Sequence, residues 1–119
     1  MKELFDILSP YDNWQNDAGE EKNLEAKQAL FSFYKKIKTM KPEREYRNSY
    51  LHISYLHYLV KIKKGFMEQK YMRVCNELTS LIYHEPLLQR RIYYNIMEVL
   101  EEGLRIGGVN IVQNLQKDN

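Results

Sequence analysis

The sequence contains a single cysteine, Cys75. One thiol closes no internal disulfide and builds no Cys-rich zinc site, so the composition points to a reducing compartment, the cytoplasm. Histidines number three and no His-Glu-x-x-His pattern occurs, so no metal site is expected. Glycines number only five. The pair Gly107-Gly108 has no P-loop lysine partner, and the sequence predicts no cofactor. Apolar runs are a few residues long, too short for a membrane span. The opening residues, Met1-Lys2-Glu3-Leu4-Phe5-Asp6, carry acid where a secretion signal needs a basic and then an apolar stretch. Strand-period alternation, internal repeats and low-complexity tracts are also missing.

The composition that remains is that of one small globular domain. Hydrophobic residues make up 44% of the 119 and charged residues 29%, enough for a single core and for a solvated surface. The expected organisation is one domain, 1–119. It has an N-terminal arm and loop (1–19), a helical core (20–106) and a C-terminal turn and polar tail (107–119). Net charge is only +2, but it is segregated. Residues 1–29 hold three bases against seven acids, residues 30–75 eleven against three, and residues 76–119 four against six. A basic middle between acidic ends either meets a polyanion or pairs with its own ends, and the second reading is favoured. Tyrosine is abundant, with ten residues.

Helical spacing runs through the chain and predicts an all-α bundle of four main helices with short helical segments at its ends. Leu4, Phe5, Ile7 and Leu8 form a first short helix stopped at Ser9-Pro10, followed by a polar loop containing Trp14. Asp17 is placed to cap the second helix, with Glu20 and Glu21 favouring the positive end of its dipole. Its stripe is Leu24, Phe31, Tyr34 and Ile37, widened by Leu30, Phe33 and Met40, and Pro42 ends it. A third helix opens at Pro42. Along it Tyr46, Tyr50, Ile53, His57 and Val60 form one apolar line, and Leu51, Tyr55, Tyr58 and Ile62 an adjacent one. Gly65 is expected to end or bend this helix. The fourth carries Met67, Tyr71, Val74, Leu78 and Leu81 and breaks at Tyr83-His84-Glu85-Pro86. The fifth runs from Leu87 to Arg105 with Ile92, Ile96, Val99 and Leu100 inward, and stops at Gly107-Gly108. Val109, Ile111, Val112 and Leu115 make one more turn.

Single residues divide between structural and chemical roles. Cys75 beside the stripe of the fourth helix reads as an inert thiol. His57 reads as a core or interface histidine, His84 as a turn residue, and Glu101-Glu102 as solvated charge. The segment Arg47-Asn48-Ser49-Tyr50-Leu51-His52 resembles the Arg-polar-x3-His signature of HEPN domains, small all-helical domains of RNases, toxins and CRISPR-associated nucleases. The resemblance implies a dimer that brings two Arg-His pairs together and cleaves RNA without a metal, through the ribose 2′-hydroxyl. His52 would then shuttle protons, Arg47 hold the phosphate, and Asn48 orient them. That nuclease is an alternative to the main reading.

The basic residues Lys35, Lys36, Lys38 and Lys41, and then Lys61, Lys63 and Lys64, sit near the C-termini of the second and third helices, where they complement the dipole. Antiparallel packing would separate the two clusters. Together with Arg90-Arg91, beside Tyr93-Tyr94, they offer a second alternative, a non-catalytic nucleic-acid-binding subunit. Tyrosine supplies contact area at low entropic cost. Tyr46, Tyr50, Tyr55, Tyr58, Tyr93 and Tyr94 are therefore the expected interface of a small cytoplasmic binding or regulatory module, docking a protein partner or a second copy.

Overall fold

The computed structural model describes residues 2–12, 19–41, 53–84 and 90–111. All regular structure among them is helical: α1 (Lys2–Leu8), a 3-10 turn (Ser9–Tyr11), α2 (Gly19–Lys38), α3 (Ile53–Met67), α4 (Tyr71–His84) and α5 (Arg90–Ile106). The all-α class follows directly. Helices α2, α4, α3 and α5 form a ring in that order, each packed on the next and α5 closing on α2, while α1 and the 3-10 turn lie against α2 and α4. The chain order therefore jumps a diagonal twice, and only α3 and α4 are neighbours both in the ring and in sequence.

Specific contacts set the directions. Asn23 reaches Tyr71 and Cys75 reaches the Ala26 carbonyl, so α2 and α4 run parallel. Asn95 meets Tyr55 and Gly103 faces Phe66, so α3 and α5 also run parallel. Tyr34 bonds Glu101 and Tyr93 bonds the Ile37 carbonyl, which makes α2 antiparallel to α5. No residue between α3 and α4 is left for a long loop, and the two form an antiparallel hairpin over residues 68–70.

Helix ends follow local rules. After α5, Gly108 takes φ +86. Its N–H bonds the Arg105 carbonyl at 3.0 Å, and the Val109 N–H bonds that of Leu104 at 2.9 Å, the paired geometry that glycine terminates with least strain. The same arrangement closes α3 with a residue ill suited to it: Gln69 takes φ 58, and the Lys70 N–H bonds the Gly65 carbonyl at 2.8 Å. Asn23 on α2 steadies this turn, donating to the Gln69 carbonyl and accepting from the Tyr71 N–H, both at 2.8 Å. The second bond satisfies an N–H at the start of α4 that no local cap reaches.

The core departs from the expected stripes in three places. On α2 the buried face is Ala26, Ala29, Leu30, Phe33, Tyr34 and Ile37, and Leu24 is exposed. Two alanines belong to the inner face, Ala26 where α4 approaches through Cys75 and Ala29 beside Ile7, Pro10 and Tyr11, and a pattern read from large residues passes over them. On α3 the buried residues are Tyr55, Leu59, Ile62 and Phe66, whereas His57 and Val60 point outward, so His57 is not a core histidine. Gly65 neither ends nor bends α3. The helix passes through it to Met67, and an added Cβ there would lie 2.6 Å from Val74 Cγ2. Close approach to α4 is what this glycine provides. Met67 ends α3, largely exposed, and does not begin the stripe of α4. On α4 Tyr71, Val74, Leu78 and Leu81 are buried, as are Ile92, Ile96, Val99 and Leu100 on α5. Leu4 and Leu8 of α1 are fully buried, so this segment belongs to the core. Trp14, Asp17 and the Leu87 start of the fifth helix lie outside the described residues.

Candidate functional site

Six of the tyrosines were the expected interface, and the structure separates them. Tyr55 and Tyr93 are buried. Asn95 donates to the Tyr55 hydroxyl at 3.4 Å, and the Tyr93 hydroxyl donates to the Ile37 carbonyl at 3.1 Å. Both belong to the core and not to a free surface, because a ring can be buried once its hydroxyl finds an internal partner. Tyr58 is half-buried on the α4 side of α3, stacked on His84 with centroids 6.0 Å apart. His84 Nδ1 lies 2.8 Å from the Ser80 carbonyl and 3.3 Å from the Tyr58 hydroxyl. A carbonyl only accepts, so Nδ1 carries the proton there. His84 is thus the last residue of α4, fixed within its own helix. Tyr94 is exposed and edge-on to Tyr93 at 5.2 Å. Tyr46 and Tyr50 lie outside the described residues, as do Arg47, Asn48 and His52.

The buried polar groups are engaged in structure. Tyr34, fully buried, donates to Glu101 Oε2 at 2.8 Å and lies 3.4 Å from Lys38 Nζ. Burial first, and the adjacent carboxylate second, hold its phenol well above the usual range. Glu101 is therefore not solvated charge, and α2 and α5 are tied through it; Glu102 is exposed and pairs with Arg105 at 3.1 Å. Cys75 is fully buried, and burial, helped by the Asp12 carboxylate, pushes its thiol up and away from the reactive thiolate. Among the described residues no three His, Cys, Asp or Glu side chains come together as a metal site.

The cations fall into two groups at opposite ends of the bundle. Lys35, Lys36 and Lys38 close α2 at the end where Arg90 and Arg91 open α5; Lys61, Lys63 and Lys64 lie toward the other end, on α3. The first group is largely engaged: Lys36 pairs with Glu3 at 2.9 Å, Lys35 lies 4.8 Å from the Phe31 ring centroid and Lys38 5.5 Å from that of Tyr34. The Lys36–Glu3 pair joins the acidic first segment to the basic middle, and the hydrogen bond in it lowers the Glu3 carboxyl from its ordinary range.

What sequence reading missed is aliphatic. Leu56 is 50% exposed, Val60 65% and Met67 74%. Steps of four and seven place them on one stripe of α3, pointing away from the core. Their spacing was visible, but it ran beside a second apolar line, and only packing reveals which line stays in water. Met67 continues this stripe into a groove of about 520 Å³ between α3 and α5, which Lys63, Phe66, Glu98, Val99, Glu102 and Ile106 also line. Ile106 is itself half exposed.

No family model, curated protein or solved structure matches the chain. The site is thus read from its own geometry. Three aliphatic side chains on one helix face offer no nucleophile, acid or base; they offer apolar area that leaves water when another surface covers it. No helix among the described residues is long and apolar enough to cross a membrane.

Proposed function

We propose that this chain is a small helical binding module that acts by protein association, with the outer face of α3 as its working surface. The observation that supports this most is the row Leu56, Val60 and Met67, each at least half exposed on a helix whose opposite face is fully engaged in the core. Scattered exposed apolar residues are ordinary, but three on one stripe, with Lys63 between the last two and a groove at their end, mark an interaction site. The surface is aliphatic where the sequence alone suggested tyrosine: Tyr55 is inside, and Tyr58 is turned toward α4. The exposed Lys63 and Lys64, three and four residues on from Val60, border the row and supply the polar rim usual at protein interfaces.

A photo-crosslinking benzoylphenylalanine at position 60, introduced in the cells that produce the protein, tests this reading. The expected result is a covalent adduct to a protein of discrete mass, abolished by Leu56→Glu and not given by the same probe at exposed Leu24. If position 60 yields no more adduct than position 24, the α3 face is not a working surface.

A further inference from the structure

The end of the bundle where α2 closes and α5 opens carries a basic face. The Tyr34–Glu101 hydrogen bond shows which stripes of the two helices face each other. Steps of four and three from Tyr34 bring Lys38 and Lys41 onto that side of the α2 end. Steps of seven and four back from Glu101 bring Tyr94 and Arg90 onto that side of α5. The helices are antiparallel and Tyr93 meets Ile37, so Lys38 stands level with Tyr94 and Lys41 with Arg90. All four are exposed, Tyr94 by 57%. Lys35, also exposed, lies one turn inward over the half-buried Phe31. Among the described residues, no carboxylate pairs with Lys35, Lys38, Lys41 or Arg90. The rings of Phe31 and Tyr34 orient Lys35 and Lys38 without neutralising them. The nearby acids are accounted for. Glu101 takes the Tyr34 hydroxyl, and Glu98, four residues on from Tyr94, marks the inner limit of the face. Glu3 and Asp6 belong to α1, on the other flank of α2, where Glu3 takes Lys36. The connecting segments 42–52 and 85–89 add two bases and three acids by sequence, so this end keeps a net positive charge.

We infer that this face binds single-stranded nucleic acid, with phosphates on Lys35, Lys38, Lys41 and Arg90 and a base stacked on Tyr94. The surface is separate from the outer face of α3, and the inference does not rest on the reading of that face. Cations alone would suit any polyanion: Arg90 offers a fork that holds a phosphate bidentately, and the lysines act as point charges. What selects a single strand is the ring. Tyr94 stands in water with Arg90 on its own helix and Lys38 across from it, edge-on to a Tyr93 that the Ile37 carbonyl holds in place. Every unpaired base has a face that stacks on such a ring, while the cations beside it follow the backbone. A duplex keeps its base faces covered, and an acidic helix brings carboxylates without a face to stack.

The test is fluorescence anisotropy of a labelled oligothymidylate of about 15 nucleotides, with a duplex of the same length and polyglutamate as competitors. At low salt the protein binds it, and log Kd rises with log salt at a slope of about 3, as four phosphate contacts on a single strand require. Lys38→Glu and Arg90→Glu each weaken binding about tenfold and lower that slope. Tyr94→Ala weakens it about tenfold and leaves the slope unchanged, because the ring contributes stacking and no charge; Tyr94→Phe, which keeps the ring, binds as the unchanged protein does. Lys61→Glu, on α3, changes Kd by less than about threefold. The substituted positions are all exposed, and circular dichroism with thermal unfolding confirms that each variant folds. Absence of binding at low salt, Tyr94→Ala binding as tightly as the unchanged protein, or a duplex competing as well as the single strand overturns the inference. Polyglutamate competing as well as the single strand also overturns it, and assigns the face to an acidic protein instead.

Discussion

A methyl group at Gly103 would occupy the space of the Phe66 ring. The absence of that methyl lets α3 and α5 close on one another, and it explains a glycine in the last third of a helix where alanine would otherwise be preferred. Gly103→Ala gains up to about 1 kcal/mol of helix propensity. It forces the ring from its site, which costs about 1–3 kcal/mol where a core is already filled. The expected net result is a protein that unfolds at lower urea concentration. Phe66→Leu in the same chain makes the two changes cost less together than their separate sum, because the ring that the methyl meets is gone. Gly65 acts in the same way toward Val74. Neither role was legible in the sequence, where a glycine within a helical pattern looks like a stop.

Helix α3 shows what periodicity tells and what it leaves open. Its existence, its approximate end and the apolar character of much of its circumference were all readable from spacing. Which of two apolar lines would be buried was not, since His57–Val60 and Tyr55–Tyr58–Ile62 are equally periodic. The choice is made by the helices packed against it: Gly103 of α5 receives Phe66, and Gly65 lies against Val74 of α4. Adjacent residues on this helix should therefore respond very differently. Leu59→Ala, in the core, is expected to lower stability by about 2–5 kcal/mol. Val60→Lys, one residue on and exposed, changes it by less than about 0.5 kcal/mol, and chemical denaturation of a monomeric background separates the two. On α2, likewise, the two alanines set the inner face without announcing it. The caps were easier. Gly107-Gly108 signals its turn in the sequence, whereas Gln69 achieves the same turn with no signal at all.

At the scale of the whole molecule, burial has left several weak acids protonated inside one fold. The Cys75 thiol is raised from an ordinary 9.0, chiefly by burial, and the Tyr34, Tyr71 and Tyr93 phenols from 10.0, again chiefly by burial. All four are neutral when protonated, so the folded state holds protons that the unfolded chain releases in alkali. Stability is therefore undiminished by these groups below about pH 9 and falls as pH rises beyond it, first through the thiol and then through the phenols. Urea midpoints measured between about pH 8 and pH 11 should decline over that range, and Cys75→Ala should delay the onset by about one pH unit. The ring order has a different consequence, in the time the chain takes to assemble. The α3–α4 hairpin closes over a three-residue turn, and α1 lies on the next helix in the chain, so both form from nearby segments. Helix α5 packs on α2 and α3 and on neither does it follow directly. Its docking on α2 must close a long loop, with Ile37 and Tyr93 56 residues apart, an entropically slow step in reaching a native topology. Until it docks, Phe66 lacks its groove and the Tyr34 phenol its carboxylate, and the nascent bundle stands open along two helices at once.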